Sequence, residues 1–261
     1  MFEALPKIRV MQEPYSFHHV WNLYLKGKVS FVEYEKILDS TFRLQCKNEN
    51  GINHVLIKLN MSATPTLSYL KRRYPETTLL FNTRHPYPLL KSYFKLWNIL
   101  PVSGTIALLL DINGFRTENY PIHYNDVIWW ERYRSLVDEG CTLDKQIAGT
   151  RFFFFNYWCV MEQYIKNKHL YHKVILYEDL CERPAMVMED LFSSLNLPHG
   201  HVQHALSAMK SDSQRGMFGK MGTYTNEDIS SVLEALDIKF KECNIPISMN
   251  MAMEKFRAIL A

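Results

Sequence analysis

Short apolar, β-rich runs alternate along this chain with longer segments in which apolar residues recur every three or four positions. The runs at Ile8–Gln12, Val55–Leu59, Thr78–Thr83 and Lys173–Tyr177 predict strands of a buried parallel sheet. Helical periodicity predicts helices at His18–Lys26, Val29–Gln45, Thr66–Tyr74, Pro88–Asn98, Tyr124–Asp138 and Ile147–Lys168. After the last strand it predicts four more, at Pro184–Leu195, His199–Met209, Asn226–Cys243 and Met249–Leu260. Strands separated by helices read as an α/β fold, in which ligands sit at the carboxyl ends of the strands.

Composition narrows this picture without changing it. With 261 residues, 47% hydrophobic and 22% charged, the chain can bury one large core, and no low-complexity tract divides it, so a single domain over 1–261 is expected. The net charge of +3 and pI near 8.5 are mild, so anion binding must come from local sites, and a dedicated nucleic-acid binder would be more basic. Cys46, Cys141, Cys159, Cys181 and Cys243 are widely spaced and form no CxxC or Cys/His pattern. That spacing predicts free thiols and no metal site. No signal peptide or membrane span is expected, since the longest apolar run, around Ile106–Leu110, is far short of about 20 residues. The sequon Asn60-Met61-Ser62 matters only in a secretory compartment.

The chemistry concentrates at Arg84 to Ser92. A strand that hands an Arg and then a Ser to a helix start predicts an anion site, because the helix's first amides lack intrahelical partners and carry its positive dipole end. Pro86 and Pro88 suit a first helical turn.

The string TRHPYPLLKSYFKLW resembles the 3′-phosphate-binding segment of sulfotransferases that use 3′-phosphoadenosine 5′-phosphosulfate (PAPS), where Arg and Ser stand eight apart, as Arg84 and Ser92 do. Three more stretches resemble the same family, in its order. IRVMQEPYSFHHVW is similar to the strand, Glu-Pro and helix of the carbohydrate (Golgi-type) branch. KVILYEDLCERPAMVMEDLFSSLNLP is similar to the family's strand, Tyr-Glu-Asp-Leu turn, Pro-started helix and Leu-Pro stop, and KSDSQRGMFGK to the loop that closes over the nucleotide. The resemblance covers roughly residues 1 to 225. It implies a P-loop-NTPase-like parallel sheet flanked by helices, with PAPS as cosubstrate and no metal.

The family opens with a strand and a P-loop-like turn that grips the 5′-phosphosulfate, and Met1–Leu5 corresponds to the helix after that turn. The expectation is therefore an N-terminally truncated form, without first strand and loop. Pro101–Ala107 reads like that loop with a Val in place of its Lys, but it lies downstream of the 3′-phosphate segment with no strand leading in, which favours a helix-to-helix turn. Such a loop supplies about four charge-assisted hydrogen bonds at roughly 1.5–3 kcal/mol each. Losing about 5 kcal/mol would weaken binding more than a thousandfold.

The resemblance assigns the other roles. Glu13 matches the Glu proposed as base in the carbohydrate branch. Lys58, in Lys58-Leu59-Asn60, matches the cation of the cytosolic branch's Lys-Thr-His, with Asn60 where that branch has its catalytic His. Lys58 is read as facing the departing phosphate or, alternatively, as an edge-strand Lys in water. His18 and His19 rank behind Glu13 as bases. Tyr177 is expected near the adenine, Asp179 in turn support, and Gln214, Arg215 and Gly216 on the 3′-phosphate in a mobile lid. The block RFFFFNYW reads as core, and one of Trp129 and Trp130 as facing an acceptor or partner.

The expected function is sulfuryl transfer from PAPS to a hydroxyl or amine acceptor, with carbohydrate favoured by the branch. The alternatives are a non-catalytic nucleotide-binding or regulatory relative and, more weakly, a nucleotide kinase, which would need a Gly-Lys-Ser/Thr loop that is not found in place. As written the chain reads as cytoplasmic, or Golgi-luminal if an N-terminal anchor precedes it. Acceptor and oligomeric state are not encoded legibly.

Overall fold

A computed structural model describes residues 5–25, 27–47, 51–59, 66–99, 160–209 and 244–261, together with positions 153, 157, 233, 234, 236–238 and 240–242. The chain divides into two compact units, one built from Met1–Asn82 and His169–Arg215, the other from Thr83–Lys168 and Gly216–Ala261.

In the first unit, β1 (Ile8–Gln12) and β2 (His54–Lys58) run parallel in a register from Ile8 opposite His54 to Gln12 opposite Lys58. They are joined through α1 (Tyr15–Leu25) and α2 (Phe31–Gln45). After α3 (Leu67–Arg73), β3 (Leu80–Thr83) pairs with β4 (Lys173–Leu176), and the His172 amide donates to the Leu79 carbonyl at 2.8 Å. The architecture is α/β, as expected, and all four predicted strands form to within two residues. Among the described residues, however, they make two two-stranded pairs rather than one sheet, and their polar ends, Gln12, His54 and Lys58, are exposed.

Two hydrophobic clusters stabilise this unit. In one, Phe17 and Val20 of α1 meet Tyr34 and Leu38 of α2 and Leu70 of α3, with Ile57 and Leu59 packed beneath. The i, i+3 and i, i+4 spacings put each set on one helix face. The other collects Met188, Leu191 and Phe192 of α6 (Pro184–Ser194) with Val202 and Ala205 of α7 (Val202–Met209), against Ile8, Leu80 and Ile175 from the strands. Each fully buried large apolar side chain is worth about 1.5–3 kcal/mol. Local chemistry sets the helix ends. Pro184 is the first residue of α6 (Pro184–Ser194), just after α5 (Tyr177–Glu182), as a residue without an N–H should be. At the far end Asn196 takes φ +52°, its amide donates to Ser193 and the Leu197 amide to Phe192. This is a Schellman closure, and it delivers Leu197 to the core.

In the second unit, α4 (Pro86–Ile99) starts two residues before the predicted boundary. Phe153, Tyr157, Met161 and Tyr164 form one buried stripe at helical spacing, with the Phe153 and Tyr157 rings stacked at 5.6 Å and Tyr157 edge-on to Phe240. The described part of the aromatic block is therefore core. The C-terminal helix α8 (Met253–Leu260) is tied to this stripe by Tyr164, whose hydroxyl donates to the Leu260 carbonyl, and by Lys168, which donates to that of Ile259 at 3.2 Å. The predicted helix at 124–138, the turn at 101–107 and Trp129-Trp130 lie outside the described residues. Among the described residues no helix is long and apolar enough to cross a membrane.

The start of α2 yields a prediction. Ser30 accepts from the Glu33 amide at 3.3 Å while Glu33 accepts from the Ser30 amide at 2.8 Å, a reciprocal capping box. Ser30→Ala should lower stability by about 1 kcal/mol in denaturant unfolding. The hydrogen bond from the Ser30 amide holds the Glu33 carboxyl below its ordinary value of 4.5. A depressed folded-state pKa means that this contribution is fully present above about pH 4.5 and is lost as pH falls through the folded value. Glu33→Gln should accordingly flatten the acid limb of the stability profile.

Candidate functional site

The parallel register brings Glu13 and Lys58 together. Gln12 and Lys58 are the last paired residues, so the next residue of the first strand, Glu13, emerges beside Lys58 at the carboxyl ends of both strands. The Glu13 amide donates to the Lys58 carbonyl at 2.7 Å, and the Lys58 ammonium meets Glu13 Oε1 at 2.8 Å. Lys58 is not enclosed within the sheet. Its side chain is 61% exposed and that of Glu13 39%, and the ammonium has its carboxylate partner at the strand end.

Glu13 also has φ +49°, the left-handed region that a non-glycine residue adopts at a cost, here directly before Pro14, where helical backbone is disfavoured. This conformation turns the chain sharply from β1 into α1 while its amide closes the ladder. An exposed ion pair contributes only about 0–1 kcal/mol, so the pair adds little to stability. Paired carboxylate and ammonium at a sheet's carboxyl edge offer a proton acceptor and an anion contact within one side-chain length.

The second group lies in the other unit, where β3 passes into α4. Arg84 is half-buried, and its carbonyl accepts from the Tyr157 hydroxyl at 3.2 Å. Ser92, also half-buried, is the seventh residue of α4. The argument that the helix's first amides receive an anion does not survive the structure. Pro86 and Pro88 have no N–H to offer, the Tyr87 amide donates to His85 Nδ1 at 3.3 Å, and the Leu89 amide to the His85 carbonyl at 3.2 Å. An anion at this turn would have to be held by side chains, for which Arg84, Ser92 and Lys91 are candidates; the Lys91 ammonium lies 4.4 Å from the centre of the Tyr87 ring.

His85 is the residue that reading the sequence passed over. It is only 6% exposed, packs edge-on against Phe256 at 5.2 Å, and its Nε2 lies 3.0 Å from the Met251 carbonyl. Its position just before a helix-initiating proline was the available signal, because that slot takes a capping side chain, although His is not among the preferred caps.

Tyr177 opens α5 rather than closing the strand, and its ring is 43% exposed. Asp179 pairs with Arg183 at 2.8 Å and accepts the Arg183 amide through its own carbonyl, a structural role at the α5–α6 junction. His18 and His19 lie in α1, with His19 exposed. Gln214, Arg215 and Gly216 lie outside the described residues. Cys46 and Cys181 carry free thiols, and burial pushes the Cys46 thiol up. Among the described residues no three His, Cys, Asp or Glu side chains converge as metal ligands would.

Compared with protein-family models, curated proteins and solved structures, the chain matches none.

Strain and exposure at Glu13 generate a test. Glu13→Gly suits φ +49° and removes an exposed ion pair, so stability should stay level or rise by about 0.5–1 kcal/mol. Denaturant unfolding that showed a loss above about 2 kcal/mol would make the pair structural instead.

Proposed function

We propose that this chain is a sulfotransferase-like protein of P-loop-NTPase-like build, which binds 3′-phosphoadenosine 5′-phosphosulfate and directs its sulfuryl group to a hydroxyl or amine acceptor, with a carbohydrate favoured. The observation that carries the reading is the Glu13–Lys58 pair at the carboxyl ends of adjacent parallel strands, with Glu13 in left-handed backbone. The family resemblance had picked out both residues separately.

The roles follow from the chemistry. Arg84 offers a planar guanidinium and Ser92 a hydroxyl, a set that suits a phosphate monoester such as the nucleotide's 3′-phosphate. The exposed ring of Tyr177 suits a purine face. In the transfer step the acceptor oxygen or nitrogen attacks sulfur in line, the bond from sulfur to the bridging phosphate oxygen breaks, and Glu13 takes the acceptor's proton. Lys58 then neutralises charge on the departing 5′-phosphate, which competes with Glu13 for the ammonium and leaves the carboxylate unclamped as base.

Calorimetric titration with 3′-phosphoadenosine 5′-phosphate, with 5′-AMP as control, tests the reading. Binding that depends on the 3′-phosphate is expected, and Arg84→Ala should weaken it by about 10- to 100-fold, the value of one charge-assisted contact. Equal binding of both nucleotides, or an unaffected Arg84→Ala variant, would overturn the assignment. Binding without sulfuryl transfer to any acceptor would leave a non-catalytic nucleotide-binding protein.

A further inference from the structure

The strand-to-helix turn that carries Arg84 is clamped by a buried side chain with two directional contacts. His85 Nδ1 faces the Tyr87 amide, which can only donate, and Nε2 faces the Met251 carbonyl, which can only accept. The two contacts together select one form of the ring, neutral, with Nδ1 as acceptor and the proton on Nε2. Phe256 supports the same ring edge-on, so His85 joins the start of α4 to the segment entering α8. On its other side the Arg84 carbonyl is held by Tyr157, which is itself stacked on Phe153 within the buried stripe. The main chain of Arg84 thus lies between two anchored points.

We propose that His85 is a positioning residue for the anion site: as a single-tautomer clamp it fixes the Arg84 main chain, so that recognition of a phosphate monoester rests on one oriented guanidinium rather than on helix amides. This rests on the reading of Arg84 and Ser92 given above. Occupation of the Tyr87 amide and the missing amides of Pro86 and Pro88 explain why orientation matters here. A helix end with open amides would tolerate a loosely placed Arg, whereas this one offers no backbone donor to compensate.

The test uses the full chain and two kinds of measurement. In ¹⁵N NMR of the histidine ring, His85 is expected to show a neutral ring with the proton on Nε2, and a proton on Nδ1 would overturn the clamp. Titration with 3′-phosphoadenosine 5′-phosphate and 5′-AMP should show that His85→Ala reduces the preference for the 3′-phosphate about tenfold or more, with 5′-AMP affinity little changed. His85→Asn keeps an acceptor for the Tyr87 amide and should restore part of that preference, a rescue that a general loss of stability would not give. A folded His85→Ala variant, by near-ultraviolet circular dichroism, that keeps the full preference overturns the positioning role while the pocket stands. A wild-type chain with no 3′-phosphate preference overturns the pocket, and the positioning role with it.

Discussion

Every backbone donor and acceptor at a strand-to-helix turn has to be satisfied as the chain changes direction, and that requirement shapes all the candidate chemistry of this protein. After β1 the turn is closed by the Glu13 amide on the Lys58 carbonyl, which forces Glu13 into left-handed backbone and holds its carboxylate against the ammonium. After β3 the turn is closed by an imidazole in place of the usual hydroxyl or amide cap, and two prolines remove the donors that would otherwise need partners. After β4, α5 begins directly at Tyr177 and leaves that ring half in solvent. The first two turns satisfy their backbones in different ways, and each of the three puts a different chemical group at a strand's carboxyl end.

The energetic weight of these turns is uneven. The Glu13–Lys58 pair is exposed and contributes little to folding, whose stabilisation in the first unit comes from the Phe17–Leu38–Leu70 and Leu191–Phe192–Val202 clusters. His85 is different, since it is buried with polar atoms on both sides of its ring, and an unmet polar atom there would cost about 1–3 kcal/mol. The exposed pair is therefore adjustable, and the imidazole is held in place. With a net charge of only +3 the long-range field is weak, so an anion site in this chain would have to be built from local cations.

The secondary structure was largely legible because its signals are local. Apolar β-rich runs marked all four strands, three- and four-residue periodicity marked the described helices other than α5, which was read as a turn, and Pro184 marked a helix start. The aromatic block was legible as core for the same reason, since Phe153, Tyr157, Met161 and Tyr164 share one helical face. The errors have local causes too. Pro88 masked the earlier start at Pro86, and the Tyr-Glu-Asp-Leu stretch read as a turn is the start of α5.

The sequence by itself determined the order of strands and helices, the α/β class and the positions where charged residues leave strands, because these depend on neighbours within a few residues. Only the tertiary structure decided which of those residues meet. The β1–β2 register set Glu13 against Lys58, and folding carried the Met251 carbonyl to His85 across a separation of 166 residues. Periodicity carries no information about register or about a hydrogen bond across such a distance. The fate of the α4 amides therefore became visible only when the capping imidazole was seen in place.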